Sequence, residues 1–246
     1  MVKSVKKAID ILFFLSNTPE QAIPLSQIAD KLDINRATCS HLLDTLCETL
    51  MVEHVSRREG YRLGPNAYLL TRYGRYQESL IEVCSPVISW LRKKVNATVF
   101  LTVVCDGIKY IIFHEEANES LDIRNSEIIK GNIETTASGL LMIAYMDQEA
   151  LERVCRRSND VAHFMNEING RESYFRRIRE NGFVHLHDEE NNRHSFAFCV
   201  WDGKKVVASI GIMYADCEDS PKTRNHIIRM GKSAAEEIGR RLSFKN

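Results

Sequence analysis

Leu25 to Asp44 reads LSQIADKLDINRATCSHLLD, and the spacing of its apolar residues decides how the first third of the chain folds. Counted from Leu25, apolar side chains fall at places four (Ile28), eight (Leu32), ten (Ile34), fifteen (Cys39) and eighteen (Leu42), with the small Ala29 at place five. Two short helices crossing steeply must touch at such places, and a small residue lets them approach. The other places are polar, so the second helix keeps a free face for a DNA major groove. Residues 25–32 form the expected support helix, and Asn35 can cap the next one through its side-chain oxygen. Helix 36–49 then buries Cys39, Leu42, Leu43 and Leu46. Ser26, Gln27, Asn35, Arg36, Ala37, Thr38, Ser40, His41 and Thr45 are the candidate DNA contacts of this pair of helices.

The flanks fit the same unit. Upstream, Val5, Ala8, Ile9, Leu12, Phe13 and Leu15 recur at three- and four-residue steps, which predicts an amphipathic helix over 4–16 stopped at Thr18-Pro19. Downstream, Met51 to Val55 alternates like a strand, Ser56 to Gly60 is a charged turn, and Tyr61-Arg62-Leu63 starts a return strand. A hairpin with a basic tip directly after a recognition helix is a wing. Arg57, Arg58 and Arg62, with Tyr61 beside them, can reach phosphates.

Composition narrows the rest. The 246 residues, 44% hydrophobic, are enough for two modest cores, and the formal net charge is zero. Residues 1–75 hold ten Lys/Arg against eight Asp/Glu, a net of +2. DNA affinity must therefore come from local placement of cations and from doubling in a dimer. Seven cysteines form no CxxC pair, which points to reduced thiols in the cytoplasm. The opening MVKSVKKAIDILFFL mimics a signal peptide, but Asp10 interrupts it and no cleavage site follows. No apolar run is long enough to span a bilayer.

Beyond Pro65 the pattern changes. Pro65 to about Ser79 reads as a linker helix through Tyr68, Leu69, Arg72, Tyr76 and Leu80, and Pro86 to Lys94 as a second helix. Strands follow at 98–104 and 109–113, joined by Asp106-Gly107. Helices are expected at 138–146, 148–157 and 172–181, the last stopped by Gly182. A second hairpin, 197–201 and 206–214, precedes a closing helix over 221–242. Hairpins alternating with helices predict an α+β domain with an antiparallel sheet. The expected division is 1–65 for the winged helix-turn-helix, 66–80 for the linker helix, and 81–246 for the α+β domain.

The order KAIDILFFL, PLSQIADKL, RATCSHLLDTL and MVEHV…GYRLGP resembles the IclR (isocitrate-lyase-regulator) family of bacterial transcription factors. The resemblance implies that 81–246 is a GAF-like effector-binding and oligomerisation domain that takes a small organic acid or aromatic metabolite, and that a homodimer or homotetramer sits on an operator. This chain has His41 where the family has arginine, so the operator cannot be carried over. The family's H-A-T-A-x-G-K stretch corresponds to Glu134 through Leu140, its acidic loop to Asp188-Glu189-Glu190-Asn191, and two pocket serines to Gly211 and Met213. The expected effector contacts are Thr135, Thr136, Ala137 and Ser138 at a helix start, with Asp188, Ser195, Phe196, Gly211 and Met213. The lost serines, with Phe196 and Phe198 nearby, predict a pocket rich in rings and poor in hydroxyls.

A reading from another class is a metal-dependent enzyme fused to a DNA-binding module. His185 and His187 share a strand face, with Asp188 and His194 near enough in sequence to complete a metal site. Solvated histidines on an exposed loop are the competing expectation. No G-x-S-x-G elbow, P-loop or dinucleotide-binding glycine pattern occurs. No catalytic residue, cofactor, metal or membrane partner is expected under the regulator reading.

Overall fold

The computed structural model describes residues 2–17, 21–56, 58–70, 77–117, 128–168 and 171–243, and it divides into two units, Met1–Tyr76 and Gln77–Asn246.

In the first unit α1 (Lys3–Ser16), α2 (Leu25–Lys31) and α3 (Arg36–Glu48) precede an antiparallel pair, β1 (Val52–Ser56) and β2 (Gly60–Leu63). Ile28, Ala29, Ile34 and Cys39 are buried where the spacing puts them, together with Ile11, Leu15, Leu43, Leu46 and Val52. Leu32 and Leu42 are half-buried rather than buried. Ile23 adds a third short strand: its N–H donates to Tyr61 O at 2.7 Å and its carbonyl accepts from Tyr61 N at 2.9 Å. Gly60 makes this contact feasible, because its φ is +101° and a Cβ there would lie 2.2 Å from Ile23 O. The expected helix stop at Thr18-Pro19 lies outside the described residues.

Of the expected linker helix, α4 (Pro65–Leu69) is described, while Arg72 and Tyr76 lie outside the described residues. Leu80 does not belong to a linker. It is buried in the core of the second unit, on α5 (Glu78–Val95). This helix continues through Pro86, which therefore does not begin a new one; the proline ring removes a single backbone donor while Val83, Val87, Ile88 and Leu91 keep the same stripe buried.

The second unit is built on a six-stranded antiparallel sheet in the order β5-β4-β3-β8-β7-β6. Its strands are β3 (Thr98–Cys105), β4 (Ile108–Glu115), β5 (Ile129–Lys130), β6 (Phe183–Asp188), β7 (Arg193–Trp201) and β8 (Val206–Ala215). Alternation along each strand sorts side chains to two faces. Val99, Leu101, Phe196, Phe198, Ile210, Ile212 and Tyr214 pack with α5 and α10 (Pro221–Ser243). Ala197 and Cys199 face α6 (Ala137–Ala144), whose outer side is covered by α7 (Gln148–Arg157), α8 (Asn159–Glu167) and α9 (Arg171–Asn181). Gly231 of α10 lets this helix settle onto the Phe198 ring, where a Cβ would stand 2.2 Å from Cε2.

The fold is α+β, an antiparallel sheet covered by helices, as the alternating pattern predicts. Besides the two-residue β5, two elements are missing from the expected series, the first assumed only by the metal reading. Residues 183–188 are a strand in full register with β7, not an exposed loop, and 159–167 form a short helix. No helix among the described residues is long and apolar enough to cross a membrane.

Candidate DNA-reading face and ligand cavity

The candidate recognition face is assembled by α3. Asn35 Oδ1 accepts the Ala37 N–H at 2.9 Å, the expected cap. With Cys39, Leu43 and Leu46 turned inward, Arg36, Ala37, Thr38, His41 and Thr45 are exposed, and Ser40 is half-buried. Arg36 lies 3.8 Å from Asp30, a loose pair with both side chains about two-thirds exposed at 69% and 68%, so its guanidinium keeps its donors for another partner. Gln27 is exposed and Ser26 half-buried at the start of α2.

The wing differs from the expected row of cations. Arg62 Nε donates to Glu53 Oε2 at 2.9 Å across the β1–β2 pair, so its charge is matched locally. Tyr61 is half-buried against the core, its ring 4.7 Å from His54, and burial raises its hydroxyl pKa. Arg58 is exposed at the tip, and Arg57 lies outside the described residues.

In the second unit a cavity of about 690 Å³ opens between the sheet and the start of α6. Thr135, Thr136, Ala137, Ser138, Asp188, Ser195 and Met213 line it, seven of the nine expected residues. Phe196 does not. It is on the opposite face of β7, buried with α5 and α10, because it differs by one place from Ser195 and side chains alternate. Phe198 is turned away for the same reason. Gly211 faces the cavity side but is covered by the Phe100 ring, which supplies the aromatic wall instead.

The cavity is therefore poor in rings and mixes apolar walls with charged groups. Lys109, Lys130 and Arg193 line it, with Asn132 and Glu134. Lys109 is only 5% exposed. Its signal in sequence was parity: it shares the inward face of β4 with Ile111 two places on, in a stretch that otherwise reads as a plain hairpin. Burial pushes the Asp188 carboxyl up, but hydrogen bonds from Asn191 and Arg193 outweigh this and hold it below the usual carboxylate range. Burial raises the Glu134 carboxyl, and its Oε2 finds no hydrogen-bond partner among the described residues.

Thr136 caps α6 and is fully used there. Its hydroxyl accepts the Gly139 N–H at 3.1 Å and donates to Ile133 O at 3.0 Å. The Thr135 hydroxyl donates to Asn132 O. Donors for a ligand at this end are the first-turn N–H groups of Ala137 and Ser138, which have no intrahelical acceptor, and the buried Ser138 hydroxyl.

The histidines are not solvated as a group, and Asp188 is not their carboxylate. His187 Nε2 and His194 Nε2 each lie 2.9 Å from Asp216 Oδ1, and His185 Nε2 lies 2.9 Å from His194 Nδ1. His194 is 3% exposed. Asp188 points to the other face of β6. Burial, and next the neighbouring His194, push the His185 pKa down to about 4.

Residues 4–56 match the family model of the IclR helix-turn-helix domain. Among solved structures, the chain resembles an IclR transcriptional regulator from Alicyclobacillus acidocaldarius, at 21% identity over 98% of each chain with a TM-score of 0.71. An IclR homolog from Microbacterium hydrocarbonoxydans, solved with 4-hydroxybenzoate, is 15% identical over 97% of this chain and 98% of that one, with a TM-score of 0.73. The IclR of Thermotoga maritima is 19% identical over 98% and 99%, with a TM-score of 0.66. At these identities the likeness is one of fold. Among curated proteins none matches.

Proposed function

We propose that this chain, which carries an IclR helix-turn-helix domain and the fold of IclR regulators throughout, is a cytoplasmic transcription regulator whose hold on an operator is set by a small organic acid. The observation that carries the sensing half is the cavity, where Lys109, Lys130 and Arg193 stand with the first turn of α6 around one space. Cations and helix N-terminal donors suit a carboxylate, while Asn132, Glu134, Asp188 and Ser195 suit hydroxyls. This favours a hydroxylated acid over a mainly aromatic one. The 4-hydroxybenzoate in the Microbacterium homolog supports an organic acid as the general class.

The DNA half rests on the exposed face of α3, docked in a major groove with the wing on phosphates. A homodimer or homotetramer presents two such helices to a pseudo-palindromic site. Ligand binding shifts the population between arrangements that space the helices differently. The four-residue metal set of the enzyme reading does not form as expected, since Asp188 lies on the opposite face of the sheet from His185, His187 and His194.

Thermal-shift screening of the full chain against hydroxylated, keto and aromatic acids, followed by operator binding with each hit, tests this. A hydroxy acid that stabilises the protein and changes operator affinity is expected. Stabilisation by no acid, or no change in DNA binding, overturns the sensing role.

A further inference from the structure

On the sheet face that carries Phe196 and Tyr214, three potential metal donors converge. They come from the end of β6 (His187), the start of β7 (His194) and the short 3₁₀ turn Asp216–Glu218 that follows β8. The β6–β7 register sets His187 directly opposite His194, and the end of β8 brings Asp216 beside both. One atom from each lies within 4.8 Å of the others. The sequence hid this group, because Asp216 is remote from the histidines and Asp188 is the nearer carboxylate in the chain.

We infer that His187, His194 and Asp216 form a binding site for a divalent transition ion of the zinc class. Two imidazoles and one carboxylate suit zinc, cobalt or nickel rather than magnesium or calcium. Ligand atoms bonded to one such ion at about 2.0–2.2 Å stand roughly 3–3.5 Å apart. The two N···O pairs, at 2.9 Å, need to open by only a few tenths of an ångström. The rings of His187 and His194 are stacked at 4.4 Å, so one must tilt to aim both lone pairs at the ion. His187, with 39% of its side chain exposed, is free to do so; His194, at 3%, is the fixed ligand.

A metal-bound imidazole ordinarily passes its other ring N–H to an acceptor, which fixes its tautomer. His185 Nε2, 2.9 Å from His194 Nδ1, is placed for this. In that tautomer the His194 Nε2 lone pair faces the Asp216 carboxylate, a repulsive pairing that a cation relieves. Asp219, 3.7 Å from His194 Nε2, adds negative potential that its ion pair with Arg224 largely cancels. The competing state has both Nε2–H groups donating to Asp216 and holds no ion. His187 and Asp216 face solvent, so the remaining coordination positions take water. The site is half-open and staples β6 and β7 to the turn after β8.

Full-length protein stripped with a chelator and titrated with zinc chloride by calorimetry should take up about one ion per chain, and cobalt should give visible absorption bands. His187→Gln and Asp216→Asn, both at exposed positions, should each weaken binding at least tenfold while melting like the parent. His185→Phe should weaken it about 10–100-fold through the lost acceptor. The exposed Cys217 adjoins Asp216, so Cys217→Ser should bind as the parent does. No uptake at micromolar zinc, unchanged binding in both ligand variants, or loss of binding in Cys217→Ser would each overturn the site.

Discussion

The Phe100 ring lies directly over Gly211 on the neighbouring strand: a Cβ built on Gly211 would stand 2.0 Å from Cε2 of that ring. The bare backbone at 211 is thus what seats Phe100, and Phe100 in turn forms part of the cavity wall with Ile111 and Met213. A serine at this position and the present Phe100 rotamer exclude one another. Gly211→Ser should therefore destabilise the second unit by about 1–3 kcal/mol, the usual cost of overpacking. Adding Phe100→Leu should restore most of it. Chemical denaturation of both single variants and the double variant measures the coupling, and simple additivity would show that the ring moves aside without cost.

The DNA-reading face yields separable effects. His41→Ala and Ser40→Ala should change which base is preferred, by about 1–3 kcal/mol per base contact. Arg58→Ala at the exposed wing tip should weaken all sequences alike and reduce the salt slope by about one. Arg62→Ala should do less than Arg58→Ala, because Glu53 already holds its guanidinium. Fluorescence anisotropy over a salt series separates these outcomes.

How much of this was open to sequence reading depended on the period being read. The helix-turn-helix was legible because Ile28 and Leu32, then Cys39, Leu42, Leu43 and Leu46, recur at helical steps, which need no knowledge of distant partners. The cavity was half legible. Thr135 to Ser138 announce a helix start, but choosing Ser195 over Phe196 needs the face of β7, and a one-residue error reverses it. Lys109 was missed because one inward lysine beside a hairpin turn looks like any solvated lysine. Asp216 was missed because strand register, not chain proximity, brings it to the histidines.

On α1 the exposed Val5, Ile9 and Phe13 stand four residues apart, at 55%, 45% and 56% exposure, and form one apolar stripe. Under the proposed function, this stripe is the expected contact with a second copy of the chain. Ile9→Asp with Phe13→Asp should leave the monomer folded and lower the assembly state. Light scattering at micromolar concentration reads it, and an unchanged mass would show that this stripe is not a contact between copies.

Glu134 should make stability depend on pH. Its carboxyl is raised by burial, so the folded state carries a cost once the pH is above the ordinary carboxylate pKa of about 4.3. Below that pH the group is protonated in both folded and unfolded chains and the cost vanishes. Glu134→Gln should thus stabilise the protein at pH 7 and leave it unchanged near pH 4. A higher Tm is expected at pH 7, because the neutral amide removes the cost of desolvating the charge. An equal shift at both pH values would assign the effect to packing rather than charge.

Two residues of the cavity should fail in different ways. Thr136 spends its hydroxyl on the Gly139 N–H and Ile133 O, so Thr136→Val should cost about 1 kcal/mol of stability through the lost cap. Lys109 lines the cavity almost fully buried, and a charge-assisted hydrogen bond from it to a ligand carboxylate is worth about 1.5–3 kcal/mol. Lys109→Met should therefore weaken binding of an acid ligand by roughly 10- to 100-fold while the ligand-free protein holds its operator as before. Calorimetry with the acid found by screening, beside operator binding without it, makes the comparison. If Lys109→Met binds the acid normally, the carboxylate lies at the other side of the cavity, toward Arg193, and Arg193→Met becomes the variant in which affinity must fall.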